Sequence, residues 1–157
     1  MGLSSTTVAL ELKQIGNVSA KIYCVDTWHG SEEHQDLEVI KLDVLFDKFK
    51  DNIKRVGVSD MITPMRGSSP DIASNWQGPK LDMIFIDGDH TFKGCYDDIL
   101  SWNSHLKADG DMFGHDATED SPVMQAAKRA AEVLNKTVSF FNPPIAHYVW
   151  QFQAQPN

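Results

Sequence analysis

The chain has 157 residues, 41% hydrophobic and 23% charged, which suits a single domain with its own core spanning residues 1–157. A formal net charge of −8 at pH 7 disfavours a nucleic-acid partner and favours a small molecule. No apolar run reaches membrane-spanning length, the stretch MGLSSTTVALELKQ lacks the basic opening of a secretory signal, and Cys24 and Cys95 form no CxxC pair, so they read as reduced thiols of a cytoplasmic protein.

Residues 3–15 read as a helix. Ser4 or Ser5 can cap it, Val8, Leu12 and Ile15 fall at helical spacing, and Gly16-Asn17 ends it. Lys21–Asp26 is a β-branched and aromatic strand, and residues 36–56 carry a long helical pattern closed by Gly57. A short strand over Met61–Met65 leads into the loop Arg66-Gly67-Ser68-Ser69-Pro70, with a short helix at 71–76. Leu81–Ile86 is a continuous apolar strand of the kind covered by helices on both faces. A helix over 94–106 should bury Tyr96, Ile99, Leu100, Trp102 and Leu106. The turn Ala108-Asp109-Gly110 precedes a short strand at Asp111–Phe113, and Pro122 opens a helix running to Leu134. Thr137–Phe141 and His147–Phe152 are two strands joined through Asn142-Pro143-Pro144, as antiparallel neighbours would be. The alternation of strands and helices predicts an α/β domain with a mostly parallel sheet and a late antiparallel strand.

In such sheets, ligands bind beyond the carboxyl ends of the strands. Four strand ends therefore matter. The first carries Asp26, followed by Thr27-Trp28-His29-Gly30. An acid there can accept hydrogen bonds from both ribose hydroxyls of a nucleoside cofactor, and it can equally be a turn or helix-capping residue. The second carries Ser68 and Ser69, able to meet an adenine edge but also common in loops. The third carries Asp87-Gly88-Asp89-His90. Two carboxylates and an imidazole directly after a buried strand must be hydrogen-bonded, paired or metal-bound, unless they form a solvated turn. The fourth carries Gly114-His115-Asp116. Asp87, His115 and Asp116 can converge on one cation, Mg²⁺, Ca²⁺ or Mn²⁺ by their oxygens, with the imidazole tilting the set toward Mn²⁺ or a softer ion. The alternative is that His115 or Asp116 caps the next helix.

The segments IYCVDTWHGS, LDMIFIDGDHTFKGCYDDILSWNSHLKADGDMFGHDA, PVMQAAKRAAEVL and HYVWQF together resemble class I S-adenosylmethionine-dependent methyltransferases. The particular group is that of the sugar O-methyltransferases and cephalosporin-hydroxylase-like proteins, of the Methyltransf_24 type. The resemblance implies a Rossmann-like three-layer sandwich using S-adenosylmethionine. It assigns Asp26 to the cofactor ribose and Ser68 and Ser69 to adenine, and places Gly2, Thr27, Trp28 and Asp87 along the cofactor. It assigns Asp87, His115 and Asp116 to a metal, Mg²⁺ or another divalent cation, with His115 standing where the family usually has an acid. His90 or Asp89 becomes the general base. The resemblance also implies that the family's first strand and most of its glycine-rich turn are absent, Gly2 matching the last step of that turn. The missing strand would lie between KIYCVD and LDMIFI. Those two strands must then pair directly, accept a strand from another chain, or leave exposed edges through which copies associate; each outcome weakens cofactor binding.

Three functions follow. The first is O-methylation of a small molecule or sugar. The second is a non-catalytic Rossmann-like module acting through homo-oligomerisation. The third is a different nucleotide- or metal-dependent enzyme, against which the lack of a GxxxxGK[ST] loop counts.

Overall fold

A computed structural model describes residues 2–29, 44–141 and 148–153. The chain folds as two compact units, Met1–Ile72 and Ala73–Asn157.

In the first unit, α1 (Leu3–Gln14) precedes β1 (Ile22–Asp26), then α2 (Leu45–Val56) and β2 (Ile62–Arg66). α1 is not capped by Ser4 or Ser5. Its N-cap is Gly2 at φ 71°, with no side-chain cap, because both serines already lie inside the helix; the Ser5 and Thr6 hydroxyls instead donate back to the Gly2 carbonyl. The buried face also differs from the apolar stripe. Thr6 and Ala9 are buried, whereas Val8 is 36% and Ile15 75% exposed. The helix meets its core through its small side chains. Gly16 (φ 83°) closes it with Asn17 N–H donating to Leu12 O and Gly16 N–H to Lys13 O, the paired bonds of a left-handed helix end.

α2 buries Leu45, Phe49 and Ile53, spaced four apart as the sequence pattern requires. Residues 36–43 of the longer expected helix lie outside the described residues. Gly57 (φ 76°) ends α2 with the same paired bonds. β1 and β2 run parallel in register from Ile22↔Ile62 to Asp26↔Arg66. Pro64 is tolerated because β2 pairs with β1 alone among the described residues, so its missing donor faces no ladder. Trp28, Leu45, Phe49, Ile53, Val58 and Met61 form the core of this unit.

The short helix α3 (Ser69–Ser74) leads to β3 (Leu81–Ile86), α4 (Phe92–Asn103), β4 (Leu106–Gly114), α5 (Pro122–Leu134), β5 (Val138–Phe141) and β6 (Val149–Phe152). The sheet order is β3-β4-β6-β5. β3 and β4 are parallel, and β6 is antiparallel to both β4 and β5. β4 is longer than Asp111–Phe113: Leu106 already pairs with Leu81, and the register then jumps to Met83↔Asp111. Gly110 belongs to this irregularity, where a Cβ would stand 2.9 Å from the Asp82 carbonyl oxygen. The link Asn142-Pro143-Pro144 lies outside the described residues.

Thr91 caps α4 by accepting from Gly94 N–H, and Ser121 caps α5 by accepting from Met124 N–H, with Pro122 in the first turn. α5 buries Val123, Ala126, Ala127, Ala130 and Ala131. α4 buries Cys95, Asp98, Ile99 and Trp102, so a carboxylate shares the apolar stripe.

β3 departs from the expectation of cover on both faces. Ile84 and Ile86 are buried, but Met83 is 48% and Phe85 40% exposed. Direct closure between KIYCVD and LDMIFI does not occur among the described residues: β1 pairs with β2 and β3 with β4. β1 and β3 each keep one edge free of described partners. The class is α/β, as the alternation of elements implies.

Candidate functional site

In the first unit the parallel register brings two chain segments to the same strand ends. Gly67 N–H donates to the Asp26 carbonyl at 3.0 Å, so Asp26-Thr27-Trp28 and Ser68-Ser69 follow adjacent paired strands. Each has local work. Asp26 Oδ1 accepts from Trp28 N–H at 2.8 Å, forming the turn that puts Trp28 at φ 54°. Trp28 is 4% exposed and packs edge-on to Phe46 and against Phe49, which anchors the turn. Thr27 Oγ1 accepts from His29 N–H. Ser68 Oγ donates to Asp71 and accepts from Asp71 N–H, a reciprocal cap on α3. Gly2 is required locally: at φ 71° a Cβ would stand 2.6 Å from the Phe49 ring.

In the second unit Ile86 and Gly114 are register partners, so Asp87 and His115 leave the sheet side by side. His115 N–H continues the ladder to the Ile86 carbonyl at 3.1 Å. Asp116, at φ 57°, turns its carboxylate between two imidazoles. His90 Nε2 lies 3.1 Å from its Oδ2 and His115 Nδ1 3.0 Å from its Oδ1. His115 Nδ1 is 3.9 Å from Asp87 Oδ1. Asp116 does not cap α5, since Ser121 does, and the Ser121 hydroxyl in turn donates to the Asp116 carbonyl.

Asp89 stands apart from this group. Its Oδ1 accepts from Thr91 N–H at 2.8 Å, tying it to the start of α4, and a Cβ on Gly94 would overlap its carboxyl. Asp98 was missed in the sequence reading. It is 8% exposed, and its Oδ2 lies 3.2 Å from where a Cβ on Gly88 would stand, so a buried carboxylate lies against the Asp87-Gly88-Asp89 turn. The available signal was its place in the stripe Cys95, Asp98, Ile99, Trp102.

Burial pushes the Asp87 carboxyl above its ordinary value; His115 draws it down, Asp116 raises it and His90 lowers it. Asp87 and Asp116 pair with imidazoles and with no lysine or arginine among the described residues. Two carboxylates without a permanent cation suit a dication. One ligand atom each from Asp87, His90 and Asp116 lies within 4.8 Å of the others. Ligands at about 2.1 Å from an ion sit roughly 3 Å apart when adjacent and about 4 Å apart when opposite, so a small contraction completes the set. The residues therefore fit a divalent cation. Beyond Asp116 a hollow of about 410 Å³ opens, lined by Ala117, Met124, Lys128, Phe140 and Tyr148 among others.

The strand-end acids and imidazoles and this hollow lie in an α/β domain. Residues 1–117 match the Methyltransf_24 family, described as a methyltransferase domain, and the chain belongs to that family. Among solved structures it is similar to the O-methyltransferase NovP at 10% identity and TM-score 0.68, covering 93% of this chain and 65% of NovP. An O-methyltransferase from Bacillus cereus, solved in complex with SAH, is 16% identical with TM-score 0.57, covering 97% of this chain and 81% of that one. A protein from Staphylococcus aureus described as a candidate caffeoyl-CoA O-methyltransferase is 16% identical with TM-score 0.59, covering 94% and 82%. At these identities the likeness shows the fold.

Proposed function

We propose that the chain is an S-adenosylmethionine-dependent O-methyltransferase acting, with a divalent metal ion, on a hydroxyl of a small molecule or sugar. The observation that carries this reading is the convergence of Asp87, His90, His115 and Asp116 at the ends of adjacent parallel strands, in a chain of the methyltransferase family. Methyl transfer is an in-line displacement at a sulfonium, so the protein must align nucleophile and methyl and remove one proton. Asp26, Thr27 and Trp28, with Ser68 and Ser69, hold the nucleoside at the paired ends of β1 and β2, Gly2 is a cofactor residue of the same unit, and Asp87 is assigned a cofactor contact from its own unit. Asp26 keeps Oδ2 for a ribose hydroxyl while Oδ1 fixes its own turn. Asp87 and Asp116, with an imidazole, hold the ion; an ion there acidifies a bound acceptor hydroxyl. The remaining imidazole or Asp89 takes the proton. A single enzyme domain, cytoplasmic location and a non-nucleic-acid acceptor complete the reading, supported by two free thiols and the acidic charge. No helix among the described residues is long and apolar enough to cross a membrane.

The test is calorimetric titration with S-adenosylmethionine, followed by transfer of labelled methyl to a panel of sugars and phenols with and without divalent ions. Weak but saturable binding and ion-dependent transfer are expected; absence of binding in the folded chain overturns the reading. The second reading, a non-catalytic module that self-associates, is favoured by the edges of β1 and β3 that have no partner among the described residues and by exposed Met83 and Phe85. Light scattering that returns a monomer overturns it.

A further inference from the structure

We propose that the third ligand is His90 and that the site therefore selects a first-row transition ion such as Mn²⁺ over Mg²⁺. This rests on the metal-assisted reading of the same site. The donors that come within reach of one another decide the set. Asp87 and Asp116 supply oxygens, and the nitrogen that closes the set within 4.8 Å belongs to His90. His90 Nε2 already contacts Asp116 Oδ2 at 3.1 Å, so an ion bound to that oxygen meets the nitrogen without displacing a backbone segment. His115 addresses the opposite oxygen, Oδ1, at 3.0 Å and holds the carboxylate from behind.

Mg²⁺ demands near-regular oxygen coordination and retains water, whereas an imidazole nitrogen suits Mn²⁺, Fe²⁺ and later ions. Carboxylate oxygens keep Mn²⁺ and Fe²⁺ acceptable at the other two positions. The His90 side chain is 61% exposed, so the ion stays open toward solvent and can take an acceptor oxygen. His90 is then occupied as a ligand and is no longer free to serve as the base, so the proton of the acceptor hydroxyl passes to Asp89 or to His115, the remaining imidazole.

The test uses the full chain stripped of metal by chelation. Mn²⁺ and Mg²⁺ are titrated separately by calorimetry, and bound Mn²⁺ is read by pulsed electron paramagnetic resonance for coupling to nitrogen. The wild type is expected to prefer Mn²⁺ and to show nitrogen coupling. His90→Ala should lose the coupling, and His90→Asp should shrink the Mn²⁺ preference by roughly tenfold or more. His115→Ala should keep the coupling. Circular dichroism checks that the variants fold, as an exposed His90 allows. Equal or tighter Mg²⁺ binding, or coupling that survives His90→Ala, overturns this inference while the metal-assisted reading stands. Failure of both ions to bind overturns both. S-adenosylmethionine binding, measured on the same sample, tests methyl transfer independently of either.

Discussion

Gly114→Ala perturbs the fold and the candidate site through one methyl group. Gly114 is the last residue of β4 and faces the fully buried Trp150 of β6. A Cβ there would stand 2.5 Å from Trp150 Nε1 and 2.6 Å from the Ile86 carbonyl oxygen. Ordinary contact between heavy atoms is about 3.5 Å, so the overlap is about 1 Å on two sides at once. A flexible chain end could yield, but one obstacle is backbone and the other is an indole with no free space around it. Overpacking of this kind typically costs about 1–3 kcal/mol, and the double obstruction places it near the top; loss of glycine's unfolded-state freedom returns about 0.4–1 kcal/mol. The expected net loss is about 2 kcal/mol, or roughly 4–8 °C in melting temperature for a chain of this size. Urea unfolding followed by tryptophan fluorescence measures it. Gly16→Ala is the control, because a Cβ there meets nothing within 4 Å and only the φ of 83° is strained, costing about 1 kcal/mol. Since Ile86 O also accepts from His115 N–H, the displacement should shear Asp87 away from His115 and weaken Mn²⁺ binding in the fraction that stays folded. A Gly114→Ala variant within 1 kcal/mol of wild type would refute this account of the β4–β6 contact.

Gly94→Ala should change stability by less than about 1 kcal/mol, because alanine's helix preference offsets the displaced Asp89 carboxyl, yet it should reduce methyl transfer by freeing the Asp87–His90 turn; unchanged activity would show that Asp89's tie to α4 does not position the site. Ser121→Ala removes the α5 cap and should cost about 1 kcal/mol in chemical unfolding, with Ser121→Asn restoring most of it. Burial pushes the Cys95 thiol from 9.0 to about 12, so stability is full below pH 9 and falls as pH rises toward 12, by up to about 1.4 kcal/mol per unit as the unfolded thiol ionises and the folded one does not. The slope of unfolding free energy over that interval should be flatter in Cys95→Ala, and native Cys95 should resist maleimide until the chain unfolds.

The secondary elements were legible where one periodicity dominates. Leu81–Ile86 is a strand to the residue, and Pro122 marks the start of α5 because its fixed φ and missing donor suit only the first turn. The buried face of α1 was not legible: Val8 and Ile15 obey helical spacing, but packing chose Thr6 and Ala9, whose small volumes let the helix approach. The length of β4 was hidden as well, because Ala108-Asp109-Gly110 has turn composition yet is spanned by a register jump that keeps Leu106 on Leu81.

For the site, strand ends could be located from sequence but side-chain directions could not. Register explains the first part: Ile86 opposite Gly114 makes Asp87 and His115 neighbours once both strands are recognised. Which imidazole joins the carboxylates depends on two turns. The turn after β3 is held by Asp89 on Thr91 N–H above buried Asp98, and this carries His90 back toward the sheet. The turn after β4 puts Asp116 at φ 57°, a conformation that non-glycine residues rarely adopt, and this points its carboxylate to His90 on one oxygen and His115 on the other. Spacing alone ranks His115 first because it adjoins Asp116 in the chain. His90 comes within reach of both carboxylates because a capped turn returns it to Asp116 Oδ2, while His115 faces Oδ1 of the same carboxylate. If an ion binds as proposed, the caps of α4 and α5 help to place its ligands, and changes at Gly94 and Ser121 are expected to reach the metal.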